Sequence, residues 1–172
     1  GAVEAQLAGA QCITIHLRED RRHIQDHDLH RLKTVCTVKL NLEMAATDSM
    51  VNIARKTQPQ MATLVPEGRA EITTEGGLDV AGQLPRMKDV VAALRDSGVV
   101  ASAFIDTDPR QIEASAAAGF AYCEIHTGPY AEKFSKAFGE LTDAGLSTEL
   151  ARVAEAGRRI QELGMKFNAG HA

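Results

Sequence analysis

Seven ionisable side chains fall within the eight residues His16-Leu17-Arg18-Glu19-Asp20-Arg21-Arg22-His23. They follow directly on an apolar run, Cys12-Ile13-Thr14-Ile15. Imidazoles exchange protons near neutral pH, and guanidinium groups bind carboxylates or phosphates through paired hydrogen bonds. Charge of this density does not serve a core, where an unpaired charge costs several kcal/mol. The segment is therefore expected in a loop or a pocket. Other apolar runs close in the same manner, on Glu43, on Glu67, on Asp106, on Glu124 with His126, and on His171. Carboxylates and imidazoles brought to one edge shift one another's pKa values, which is the usual equipment for proton transfer.

The elements that would position these groups alternate. Strands are expected at Cys12–Leu17, Val38–Met44, Met61–Val65, Val99–Ile105, Ala121–His126 and Met165–Asn168. Ala2–Ala8 reads as helix. Further amphipathic helices contain Leu29–Leu32 and Ser49–Lys56, and Arg86–Arg95 carries Met87, Val90, Val91 and Leu94 at i, i+3, i+4, i+7 spacing. Asp108-Pro109 opens another in the favoured N-cap/N1 order. Ser147 or Thr148 is expected to cap the last, which runs to Leu163 and stops at Gly164. Strands alternating with helices imply a parallel sheet. Within the strands, Ile13-Thr14-Ile15-His16, Leu40-Asn41-Leu42-Glu43-Met44 and Cys123-Glu124-Ile125-His126 are apolar on one face and polar on the other. An open doubly wound sheet is covered on both faces and reads as continuous apolar runs. A polar second face fits the lumen of a (β/α)8 TIM barrel, whose C-terminal rim carries the chemistry. About six of the eight strand-helix units are present, in one domain over 1–172, with the chain opening in mid-helix. Neither a GxGxxG nor a P-loop follows any strand.

His16, Glu43 and Glu124 stand on the polar faces of strands and are the strongest candidates for proton transfer. Asp106 has an alternative role in capping the Asp108-Pro109 helix, Glu67 as a solvated loop acid, His126 as a satisfied barrel histidine, and Arg21-Arg22 as a solvated turn. The stretch Ile72–Val80 contains Thr73-Thr74 and Gly76-Gly77. Its hydroxyls and backbone N–H groups suit a phosphate, and it reads equally well as a long loop with a Gly-Gly turn. Asn168-Ala169-Gly170-His171 places a histidine after a turn of small residues, which suits a mobile group.

Composition narrows the classes. The chain is 44% hydrophobic and 24% charged with a net charge of −4. That balance offers no electrostatic basis for binding nucleic acid or an anionic membrane. No apolar run approaches the roughly 20 residues of a membrane span. Cys12, Cys36 and Cys123 are odd in number and far apart, so neither a disulfide framework nor a cysteine zinc site is expected, and a reducing, cytoplasmic setting is the simplest reading.

On these residues the chain resembles the pyridoxine 5′-phosphate synthase family of vitamin B6 biosynthesis. The resemblance is carried by His16–Ile24, Asn41-Leu42-Glu43-Met44-Ala45, Leu64-Val65-Pro66-Glu67, Thr73-Thr74-Glu75-Gly76-Gly77-Leu78-Asp79-Val80, Phe104-Ile105-Asp106, Glu124-Ile125-His126-Thr127-Gly128 and Asn168-Ala169-Gly170-His171. The motifs keep the family's order and span essentially the whole chain. The resemblance implies a (β/α)8 barrel enzyme of the transferase class. It would condense 3-amino-2-oxopropyl phosphate with 1-deoxy-D-xylulose 5-phosphate, release water and phosphate, and close a pyridine ring. It implies Glu43 and His16 as general bases, His171 as proton donor, Glu124 as transition-state stabiliser, and Arg18, His23 and Thr73 as ligands of deoxyxylulose phosphate. No metal or redox cofactor is implied, the partners are phosphorylated small molecules, and the family assembles as a homo-octamer.

The sequence departs from the family pattern in two respects. The first-strand Asn and Asp-His and the last-strand Gly-Arg substrate ligands are absent, and Ala172 stands where the family has Gly. An isolated chain of this extent is therefore expected to be nearly inactive, with His171 poorly positioned. Two other classes compete. One is a metal-dependent barrel lyase or hydrolase using His16, His23, Glu43, Glu124, His126 and His171 as ligands. The other is an inactive barrel fragment whose strand edges only bind or aggregate.

Overall fold

β-branched and apolar residues alternating with polar ones, punctuated by amphipathic helices, produce one parallel sheet. The computed structural model describes residues 1–67, 76–137 and 142–171. Its strands are β1 (Cys12–His16), β2 (Lys39–Met44), β3 (Met61–Leu64), β4 (Val100–Ile105), β5 (Tyr122–His126) and β6 (Lys166–Gly170). The helices are α1 (Ala2–Leu7), α2 (Asp26–Val35), α3 (Asp48–Thr57), α4 (Leu84–Arg95), α5 (Pro109–Ala118), α6 (Gly128–Lys136) and α7 (Ala144–Glu162). The strands pair in the order β1-β2-β3-β4-β5-β6, every neighbour parallel. Six parallel strands curl into part of an α/β barrel, as the alternation of polar and apolar faces predicts.

The outer face of the sheet is the core. Leu40, Leu42, Met44, Ala62, Leu64, Ala103, Ile105, Cys123 and Ile125 are buried there with Met50 and Ala54 of α3, Met87, Val90, Val91 and Leu94 of α4, Ile112 of α5 and Ile160 of α7. Each of the large aliphatic side chains contributes about 1.5–3 kcal/mol on burial. All four apolar positions read from the spacing in α4 lie in this core. The other face of the sheet presents Thr14 and His16, Asn41 and Glu43, Thr63, Ser102 and Phe104, Glu124 and His126, and Asn168 and Gly170 in register. Its lower layer is joined by hydrogen bonds from Thr63 Oγ1 to Asn41 Oδ1 (2.9 Å) and from Asn41 Nδ2 to Thr14 Oγ1 (3.3 Å).

Two expectations need correction, and one element was not foreseen. α7 begins at Ala144, not at Ser147 or Thr148, because Asp143 caps it by accepting from Leu146 N at 2.8 Å. The preceding segment contains a helix, α6, that the Gly128-Pro129 pair disguised as loop, although Pro is favoured at the first helical positions. Ala169-Gly170 is not a turn but the end of β6, where the Gly170 carbonyl accepts from Thr127 N at 2.9 Å and from Thr127 Oγ1 at 2.7 Å.

Candidate functional site

β1 and β2 set His16 and Glu43 side by side, since the two are register partners. Glu43 Oε2 lies 4.0 Å from His16 Nδ1. They are neighbours along the rim. The other ring nitrogen, His16 Nε2, faces Glu67 Oε2 at 3.8 Å. Glu67 lies just beyond β3 and is not a solvated acid: its side chain is 5% exposed, and its Oε1 accepts from Glu19 N at 2.7 Å. Glu19 is tied in turn to the start of α3 by Thr47 Oγ1 (2.7 Å) and Ser49 Oγ (3.1 Å), both donating to its Oε1.

Electrostatics in this corner follow from burial. Burial, and then the charge of Glu124, push the Glu43 carboxyl from its ordinary 4.5 up to about 7. Burial also raises Glu124 and Glu67. His16 is depressed, first by burial and then by Arg18, with His171 and His23 adding to the effect and Asp20 opposing it. The rim therefore holds a carboxyl able to exchange protons near neutral pH beside an imidazole kept neutral.

Glu124 reaches up along the sheet toward β6. A Cβ on Gly170 would lie 2.5 Å from Glu124 Oε1, so the missing side chain leaves the space that carboxylate fills. Asp106 and His126 form a second pair, with His126 Nδ1 3.2 Å from Asp106 Oδ1. The other oxygen of Asp106 accepts from Gly77 N at 2.9 Å. Asp106 thus ties the 76–80 loop to β5, and the capping role belongs to Asp108, which accepts from Arg110 N at 2.9 Å. Gly77 is obligatory here, because a Cβ would lie 2.3 Å from Asp106 N. His171 packs on this pair, its ring 5.2 Å from Phe104 and 5.5 Å from His126. It holds φ +65°, in the left-handed region that non-glycine residues enter rarely.

The expected anion ligands are less closely gathered. Arg18 is buried, yet its Nε and Nη2 donate to Asp20 at 3.2 and 3.3 Å. The cavity at Arg18, about 460 Å³, is otherwise lined by Glu19, Asp20 and Glu67. His23 is exposed on the same loop. Thr73 and Ala172 lie outside the described residues. Arg21, read as a solvated turn, is half-buried and anchors the loop through Asp26 at 2.9 Å and the Arg18 carbonyl at 3.0 Å. The side chains considered as metal ligands are spread along the rim, and among the described residues no group of three His, Cys, Asp or Glu is placed to hold a metal ion. Among the same residues no helix is long and apolar enough to cross a membrane.

A curled parallel sheet, helices on its outer face and His and Glu along one rim define an α/β-barrel type of protein. A D-psicose 3-epimerase from Clostridium cellulolyticum H10, solved with D-tagatose, shares the fold at a TM-score of 0.53 and 10% identity, over 99% of this chain and 66% of that one. The chain belongs to the family described as Pyridoxal phosphate biosynthesis protein PdxJ, whose profile matches residues 1–172. Its curated relatives include the pyridoxine 5′-phosphate synthase of Dechloromonas aromatica strain RCB, 58% identical over 172 residues, spanning 100% of this chain and 68% of the relative. That of Aromatoleum aromaticum is 59% identical over 171 residues, with 99% and 68% covered.

Proposed function

We propose that the chain carries the acid–base site of a pyridoxine 5′-phosphate synthase, which joins 3-amino-2-oxopropyl phosphate to 1-deoxy-D-xylulose 5-phosphate. Imine formation, dehydration and ring closure each require proton transfers at carbon or oxygen. Glu43 and His16 serve as the bases, Glu124 stabilises the charge that develops beside them, and His171 donates a proton to a departing group. Arg18 and His23, with Thr73, hold the phosphate of the deoxyxylulose substrate, which requires Arg18 to share or exchange its contact with Asp20. The observation that carries this reading is the placing of Glu43, poised near pH 7, directly beside His16.

The test uses both substrates. Deoxyxylulose phosphate binding is followed by its ³¹P resonance, and turnover by release of inorganic phosphate with formation of pyridoxine 5′-phosphate. The expected outcome is binding that weakens at least about tenfold in Arg18→Ala, as a lost charge-assisted phosphate contact implies. Glu43→Gln is expected to lower product formation by about a hundredfold or more while binding persists. Turnover is measured in the Dechloromonas relative with the same substitutions at the aligned positions, and binding in the chain itself. Unchanged phosphate binding in Arg18→Ala, or product formation indifferent to Glu43, overturns the assignment.

A further inference from the structure

Each ring nitrogen of His16 faces a different carboxyl group, and the two carboxyls are held differently. Nδ1 points at Glu43 on β2. Nε2 points at Glu67, beyond β3. His16 Nε2 and Glu67 Oε2 are both buried, and neither has a hydrogen-bond partner among the described residues. Polar atoms buried without partners are rare, because each gives up its hydration with nothing in return. The two stand 3.8 Å apart, so a side-chain movement of about 1 Å joins them in a normal hydrogen bond. The orientation of the Glu67 carboxyl is already fixed, because its Oε1 accepts from Glu19 N and so leaves Oε2 turned to the ring.

We propose that Glu67 is a positioning residue for His16, its Oε2 accepting the Nε2–H and leaving Nδ1 as the unprotonated nitrogen that faces Glu43. In a neutral imidazole one nitrogen donates and the other accepts, and the donor's partner decides which is which. Glu67 thereby turns the basic nitrogen toward the rim and balances the imidazolium formed when His16 takes a proton. The role rests on His16 being the base proposed above. The sequence alone left Glu67 open between rim chemistry and a solvated loop acid, and only its burial against the ring distinguishes them.

A specific consequence follows for Glu67→Gln. The Glu19 N–H requires an oxygen, so the amide carbonyl stays with Glu19 and the NH2 group faces His16. A donor there forces Nε2 to accept, and the ring flips to the Nδ1–H tautomer. The readout is the ¹⁵N spectrum of the histidine-labelled chain at pH 8, with His16 assigned by its disappearance in His16→Gln. The expected result is a pyrrole-type Nε2 and pyridine-type Nδ1 in the wild type, reversed in Glu67→Gln. Removing the carboxylate is also expected to lower the His16 pKa further. The other groups acting on the ring, Glu43, Arg18, Asp20, His23 and His171, are unchanged in the variant.

A wild-type ring protonated on Nδ1, or a tautomer unmoved by Glu67→Gln, overturns the proposal. The wild-type spectrum alone decides if the variant fails to fold. Turnover, read in the Dechloromonas relative with the same substitutions at the aligned positions, separates the two layers of the argument. Product formation unchanged in His16→Gln defeats His16 as base without touching the tautomer. A fall in His16→Gln with kcat intact in Glu67→Gln defeats the positioning role alone, for which a loss of at least about tenfold in kcat at nearly constant KM is expected.

Discussion

Near pH 7 Glu43 is about half protonated, and the same physics that makes it useful makes it costly. Its carboxyl titrates about 7 in the folded chain against an ordinary 4.5, so between those values the native state holds a proton the unfolded chain has released. The stability that Glu43 contributes is full below pH 4.5 and is lost as pH rises through 7, by up to about 3 kcal/mol. His16 acts in the opposite direction. Its depressed pKa gives stability present above its ordinary value of 6.5, which is lost as pH falls through the folded value. Glu43→Gln removes the first effect and leaves the second. In urea titrations the variant is expected to exceed the wild type by about 1–3 kcal/mol at pH 8 and to differ little at pH 5. A stability gain equal at the two pH values contradicts a raised Glu43. His16 and Glu43 were legible from their place on polar strand faces. The roles of Glu67 and Asp106 were not, because a loop acid's burial and a carboxylate's choice between a helix cap and a histidine are decided by chain segments far away in sequence.

The strands position the site, and their legibility followed the strength of their period. The alternation in β1, β2 and β5 identified the face that bears His16, Glu43 and Glu124, and the four-residue spacing in α4 identified the residues it buries. α6 escaped because Gly128-Pro129 reads as punctuation. The pair that could have shown it is Tyr130 and Phe134, one helical turn apart and stacked at 6.5 Å. The end of β6 escaped because Ala169 and Gly170 lack the side chains that signal a strand, and the carbonyl contacts to Thr127 that fix it are invisible in sequence. Two glycines, one in the 76–80 loop and one at the end of β6, make a test. At Gly77 an added Cβ meets backbone, which cannot yield, so Gly77→Ala is expected to cost about 1–3 kcal/mol in thermal or urea unfolding. At Gly170 the Cβ meets the movable end of Glu124. Gly170→Ala is expected to leave stability within about 1 kcal/mol and, at the aligned position of the Dechloromonas relative, to lower turnover about ten- to a hundredfold, since the carboxylate is displaced by the order of 1 Å. Equal effects at the two positions on both readouts refute this division.

At the scale of the molecule the described residues form one parallel sheet with two edges. Among the described residues β1 pairs only with β2 and β6 only with β5, so each presents a row of backbone donors and acceptors along one side. α1, which packs against β1, exposes Leu7 at 84% and Val3 at 50%. Apolar side chains scattered singly over a surface are ordinary. Two on one face of a short helix, next to an unpaired strand edge, supply both a hydrophobic contact and a hydrogen-bonding template for another copy of the chain. The sheet edges cannot be mutated at the backbone, but the apolar contact can be. The purified chain, kept reduced so that exposed Cys12 does not crosslink it, is expected to show a light-scattering mass above its 18.5 kDa that rises with concentration. Leu7→Lys with Val3→Lys is expected to shift that mass toward 18.5 kDa without changing the fold seen by circular dichroism, because a charge buried between copies costs several kcal/mol whereas one in water costs nothing. A mass of 18.5 kDa at all concentrations in the wild type shows that the edges are protected without a partner. A raised mass unmoved by the substitutions assigns the association to the strand edges themselves or to a surface away from α1.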